Sequence, residues 1–195
     1  MNTRAYSTLF NYLTEISSDY GISLCINDFS GFIYSNPELT KLLQPFMIHS
    51  NPYCMMIKSD KTLWNKCICM KKPIAEKCRL SKDTFYGMCY AGVEEYIIPL
   101  FHNGQLIGTL NAGTFRSHTT TAKRLIKRIS RTSSLHESSL LDLYVTSLNE
   151  NVPSMEKVNN LLGIAAELIT RIFHDFSLSH PELINRNRFS SNEDN

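Results

Sequence analysis

The dipeptide Asn103-Gly104 narrows the fold more than any other feature of the chain. It separates two apolar runs, residues 95–101 and 106–111. Asparagine and glycine tolerate the positive φ angles that a two-residue hairpin demands, so the two runs are predicted to be antiparallel neighbours. In the first run Tyr96, Ile97, Ile98, Leu100 and Phe101 leave neither side of the strand polar. Both faces of the sheet must then be covered, one by the chain's own helices and the other by the terminal helices or a second subunit. Pro99 has no N–H to donate, which points to an edge or a bulge at that position.

Around this hairpin the chain alternates between strand and helix signals. Leu9, Phe10, Leu13 and Ile16 recur at helical spacing and Gly21 stops the run, which predicts an N-terminal amphipathic helix. Residues 22–27 and 32–36 read as two strands around the turn Asp28-Phe29-Ser30-Gly31, and so as a second hairpin. Residues 37–79 read as irregular helices. One carries Leu39, Leu42, Leu43 and Phe46; another, over 60–70, is capped by Ser59 or Asp60 and carries Leu63, Trp64 and Cys67. Residues 85–90 form a further strand. Beyond the hairpin come short helices around Leu125, Ile126 and Ile129 and around Leu140, Leu141, Tyr144 and Leu148. After Pro153 follows a long helix with a 3/4 apolar rhythm from Met155 to Phe176. Strands joined by hairpins and bracketed by helices define an α+β fold with an antiparallel sheet.

Three parts follow from this: an N-terminal helix over 1–20, a sheet-bearing core over 21–116 and C-terminal helices over 117–176, with 177–195 expected to be a disordered tail or linker. The long helix carries a stripe longer than one small sheet would cover, which suggests a homodimer surface.

Composition removes several functional classes. The net charge of +2 makes no bulk case for binding nucleic acid or an anionic membrane. The basic residues Arg116, Lys123, Arg124, Lys127, Arg128 and Arg131 read as the solvated side of one amphipathic helix. No apolar run approaches membrane-spanning length and the N-terminus is no signal peptide, so a cytoplasmic location is expected. There is no Gly-rich phosphate loop, no H-E-x-x-H and no G-x-S-x-G, and the six histidines are scattered. The chain is therefore not expected to be an enzyme.

Between Cys54 and Gly113 the residues take on a recognisable pattern. Cys54 is followed by Cys67 after an intervening helix, then by the run Cys89-Tyr90-Ala91-Gly92-Val93-Glu94-Glu95-Tyr96-Ile97-Ile98-Pro99-Leu100, then by Gly104, Ile107-Gly108-Thr109-Leu110 and Gly113. This pattern resembles the PocR sensory domain, and the resemblance extends over roughly residues 6–176. It implies a PAS-like sheet with flanking helices and a C-terminal helical extension, acting as the sensory part of bacterial transcription regulators, often ahead of an AraC-type DNA-binding domain. It also implies a small organic ligand such as a diol or another short hydrocarbon derivative. DNA would be bound only through a separate domain, and the chain is expected to be the sensor part of a longer regulator. Members often carry an acidic residue shortly after the second cysteine, where this chain reads Cys67-Ile68-Cys69-Met70-Lys71.

On that resemblance the expected ligand-binding residues are Cys54, Trp64, Cys67, Cys89, Tyr90, Glu95, Tyr96 and Asn111. Aromatic and thiol walls with a few polar tips suit a small apolar molecule bearing one or two hydrogen-bonding groups. No cofactor is expected. The alternative is a metal or redox sensor in which Cys54, Cys67 and Cys89 hold zinc with a fourth ligand from Cys69, Cys78 or His49. Cysteine is, however, a residue that proteins commonly bury for packing alone.

Overall fold

The structure, a computed structural model, describes residues 3–182. Its elements run α1 (Thr3–Tyr20), β1 (Ser23–Asp28), α2 (Pro37–Leu43), α3 (Pro52–Ser59), α4 (Lys61–Cys69), α5 (Lys71–Ser81), β2 (Phe85–Met88), β3 (Val93–His102), β4 (Gln105–Arg116), α6 (Thr120–Thr132), α7 (Glu137–Ser147) and α8 (Met155–Ser179). The four strands form one antiparallel sheet in the order β1-β4-β3-β2. This is the α+β architecture expected, an antiparallel sheet with flanking helices.

The β3–β4 hairpin closes as its turn chemistry requires. Asn103 and Gly104 both take positive φ, 49° and 76°, and His102 pairs with Gln105. Pro99 is accommodated because β2 reaches only as far as Ile97, so that side of β3 has no strand neighbour at Pro99. A register shift follows one residue later, between Leu100 and Phe101.

The first predicted hairpin is not formed. Residues 32–36 make turns and not a strand, and β1 pairs with β4, Cys25 opposite Asn111. Asp28 explains the difference. Its carboxylate accepts the backbone N–H groups of Ser30, Gly31 and Ile33 and the Ser30 hydroxyl, at 2.8–3.0 Å. A side chain that gathers three consecutive-turn amides curls the chain instead of letting it run back as a strand. The curl delivers Phe32 and Ile33 into the core, where Phe32 meets Phe173 edge to face at 5.2 Å.

The two sheet faces are covered differently. Tyr96, Ile98 and Leu100 of β3 join Leu24 and Ile26 of β1 and Leu110 of β4 on one side, beneath α1 and α8. Every apolar turn of α8 is used there: Val158, Leu162, Ala165, Ile169, Ile172, Phe173 and Phe176 are buried. The stripe that suggested a dimer surface is therefore consumed within the chain, by α1 as well as the sheet; Ile164 and Leu178 are the large apolar side chains α8 leaves exposed. The helix also continues to Ser179, past the expected start of the tail, while residues 183–195 lie outside the described residues.

On the other face of the sheet the residues of opposite parity, Cys25, Asn27, Thr109, Asn111, Glu95 and Ile97, are buried under α3, α4 and α5. A third cluster, built by α3, α6, α7 and the turn between β2 and β3, flanks this region. Among the described residues no helix is long and apolar enough to cross a membrane.

Candidate ligand cavity

Three short helices do not close over the second sheet face; they leave a cavity of about 600 Å³. Two of the three are started by a capping side chain. Asn51 caps α3 by accepting from Cys54 N at 2.8 Å, and Asp60 caps α4 by accepting from Leu63 N at 2.9 Å. Helix α5 has no side-chain cap, and both Lys71 and Lys72 fall in its first turn.

Seven of the eight residues expected from sequence line this cavity: Cys54, Trp64, Cys67, Cys89, Tyr90, Glu95 and Asn111. Tyr96 does not. It is adjacent to Glu95 in β3, and successive strand residues face opposite ways. Its ring packs on Tyr86 at 4.6 Å, and its hydroxyl donates to the Pro153 carbonyl at 2.7 Å, in the core beneath α8. Strand parity alone rules out that Glu95 and Tyr96 share one cavity, so this expectation is corrected.

The floor of the cavity is a polar strip on an otherwise apolar wall. Asn27 Nδ2 donates to Thr109 Oγ1 at 3.1 Å, Thr109 Oγ1 donates to Asn111 Oδ1 at 2.7 Å, and Asn111 Nδ2 donates to Glu95 Oε2 at 3.0 Å. Three strands thus contribute to one chain of hydrogen bonds that ends on a carboxylate. Buried polar groups satisfied in this way hold each other in place. His49 approaches the same carboxylate, its Nε2 3.5 Å from Glu95 Oε2, and that nitrogen is buried with no hydrogen-bond partner. Lys58 Nζ donates to the His49 carbonyl and lies 5.7 Å from the Trp64 ring. Tyr90 spends its hydroxyl on the Leu63 carbonyl, at 2.7 Å, and so offers the cavity its ring.

Burial sets the protonation of the histidine. It pushes His49 below the usual 6.5; the Glu95 carboxylate partly opposes this and Lys58 reinforces it. The unfolded chain takes up a proton at His49 below about pH 6.5, and the folded one does not until a lower pH. The group therefore withholds nothing from stability above its unfolded pKa, and costs stability progressively as pH falls below it. The melting temperature of the wild type is expected to fall more steeply between pH 7.5 and 5 than that of His49→Gln. Parallel profiles would show that the histidine is not held neutral.

Burial also raises the thiols: Cys25 and Cys89 to about 12 and Cys54 to about 11, with Cys67 raised as well. Thiol exchange proceeds through the thiolate, so burial of this kind makes these cysteines slow to exchange. Among the described residues no group of three or more His, Cys, Asp and Glu side chains is placed to hold a metal ion. The alternative zinc set of Cys54, Cys67 and Cys89 lines one cavity without forming a coordination sphere. With a maleimide at pH 7.5, exposed Cys69 is expected to be alkylated first and buried Cys25 and Cys78 last, read by peptide mass spectrometry. Rapid modification of Cys54, Cys67 and Cys89 ahead of Cys69 would reinstate the thiol-sensor alternative.

Sequence reasoning missed Cys25, Asn27, Lys58 and Lys71 as wall residues, and named His49 only as a fourth ligand in the zinc alternative. A signal existed for two of them: Cys25 and Asn27 share strand parity, and Asn27 is a polar residue inside an apolar strand. The other three stand on helices and loops whose facing only packing determines.

The family model described as "Sensory domain found in PocR" matches residues 6–174. Comparison with curated proteins and with solved structures finds no significant match. The matched span includes every strand of the sheet and every wall of the cavity, and the chain accordingly belongs to the PocR sensory-domain family.

Proposed function

We propose that the chain senses a small organic molecule held in the cavity between the sheet and α3–α5, as the sensory part of a bacterial transcription regulator. The observation that carries this reading is the cavity itself. A space of about 600 Å³ with mostly apolar walls and one ordered polar strip is the usual form of a small-molecule site. A diol or another short hydrocarbon derivative fits such walls, its hydroxyl reaching the Glu95 carboxylate or His49 Nε2. The reading requires no metal or cofactor and no catalysis by the chain.

A signal has a physical route out. The turn after β2, where Cys89, Tyr90 and Ala91 line the cavity, is held from behind by two tyrosines. Tyr53 of α3 donates to the Ala91 carbonyl at 2.8 Å, and Tyr144 of α7 donates to the Gly92 carbonyl at 2.7 Å. The segment after α7 in turn bonds to the sheet through Arg116 N to Asn149 O, and leads through Pro153 into α8. A ligand that changes how α3 sits on this turn acts on α7 and the start of α8. It does so only to the extent that it binds one arrangement better than the other. DNA would be reached through a separate domain of AraC type. Two such sensors pairing as a homodimer would use surfaces other than the buried stripe of α8.

The test is a thermal-shift screen of diols, alcohols, short acids and amines on the purified chain, with elemental analysis of the same sample. A ligand raises the melting temperature by mass action, and its effect is expected to vanish in Glu95→Leu. A screen without a single shift, or a stoichiometric transition metal in the protein, overturns the reading.

A further inference from the structure

The charges around the cavity do not balance, and the imbalance bears on the class of ligand. Four charged side chains line it: Lys58, Lys71, Lys77 and, on the floor, Glu95. The carboxylate is already engaged: it accepts from the Asn111 amide at 3.0 Å, and His49 Nε2 stands 3.5 Å away. Lys77 is exposed and rests its ammonium over Phe85 at 4.0 Å. Lys71 is partly buried and no acidic side chain stands in the first turn of its helix. It occupies the first position of α5, where a cation opposes the helix dipole and no side chain caps the backbone. A lysine there works against the stability of its own helix. On the floor, His49 Nε2 is buried, unpartnered and faces the same space.

Resting on the small-molecule reading above, we infer that the ligand is an anionic amphiphile: a carboxylate-bearing molecule whose anionic end meets Lys71 and Lys58, whose apolar body lies along Trp64 and Phe85, and whose hydroxyl bridges His49 and Glu95. The lining asks for two different groups close together, since Lys58 and Lys71 act on the same Cys25 that Glu95 does. The floor offers one acceptor and one unspent imidazole nitrogen, which together match a hydroxyl that donates to one and bonds the other. Lys71 and Lys58 offer ammonium N–H donors beyond the one that Lys58 gives to the His49 carbonyl, which match a carboxylate. A cationic amine is disfavoured, because three ammonium groups would face it against one carboxylate that already has partners.

The experiment compares three molecules on each of two carbon skeletons. On a six-carbon chain these are 2-hydroxyhexanoate, hexane-1,2-diol and 1-aminohexan-2-ol. On a phenyl skeleton they are mandelate, 1-phenylethane-1,2-diol and 2-amino-1-phenylethanol. Binding is measured by thermal shift and calorimetry on the full chain at 20 and 300 mM salt. The hydroxy acid of at least one skeleton is expected to bind at least about tenfold more tightly than its diol, a preference that shrinks with salt. Lys71→Gln, which removes a cation from a helix N-terminus and so leaves the fold intact, is expected to weaken hydroxy-acid binding about tenfold more than diol binding and so abolish the preference. Diols that bind as well as the acids, or acid binding indifferent to both Lys71→Gln and salt, overturn the anion assignment and leave the sensing reading standing. Amines that bind best do the same. No binding by any of the six overturns both.

Discussion

Replacing Tyr53 by alanine is expected to cost the domain about 3–5 kcal/mol, the range for removing a buried aromatic ring. Tyr53 has no accessible surface. Its ring meets Tyr144 edge to face at 5.1 Å, and around it pack Ile57, Leu63, Ala91 and Leu140. The change leaves a void between α3, α7 and the turn after β2, and strands the Ala91 carbonyl. Tyr53→Phe separates the two contributions. It keeps the ring and loses only the hydroxyl bond, so about 1–2 kcal/mol is expected, measured by urea denaturation. The functional consequence follows from position. Tyr53 joins a wall helix of the cavity to the turn that Tyr144 holds from α7. In the phenylalanine variant a ligand is expected still to raise the melting temperature while hydrogen exchange in α7 no longer responds to it. Unchanged protection of α7 in the wild type on ligand binding would remove this route.

Gly113→Ala is the second large effect. Gly113 pairs with Glu95 across β3 and β4, next to the register shift between Glu94 and Glu95. A Cβ at position 113 would stand 2.6 Å from Glu95 Cβ and 2.9 Å from the Glu94 carbonyl oxygen. Neither is the far end of a flexible side chain, so the strands themselves must move. Overpacking of this kind costs about 1–3 kcal/mol. The displaced residue is the one whose carboxylate ends the polar strip, so the change reaches the site directly. Binding of any ligand that contacts Glu95 is expected to drop by an order of magnitude or more. Gly87→Ala is the control, because nothing stands within 4 Å of a Cβ built there although Gly87 also lines the cavity. A Gly113→Ala protein with wild-type stability and wild-type ligand response would show that β3 and β4 yield at no cost.

The amino-acid sequence by itself determined what is local. Asn103-Gly104 set the β3–β4 hairpin because two adjacent residues that accept positive φ leave the chain one economical way to reverse. Asp60 set the start of α4, and the 3/4 rhythm of Val158, Leu162, Ala165 and Ile169 set α8, because caps and helical faces depend on residues within a few positions. The cysteine-to-glycine pattern also carried part of the cavity wall, Cys54, Cys67, Cys89, Tyr90 and Glu95 among it. What only the tertiary structure decided is non-local. Strand β1 finds its partner in β4, more than eighty residues on, and not in the segment beside it, because the Asp28 carboxylate turns that segment away. Two adjacent residues of one strand, Glu95 and Tyr96, were both expected at the ligand; the sheet sends one to the cavity and the other beneath α8. His49, Lys58 and Lys71 join the site only because three short helices settle over a polar strip without filling the space above it. Which face of a two-sided strand stays open depends on what packs against it, and no local run of residues contains that information.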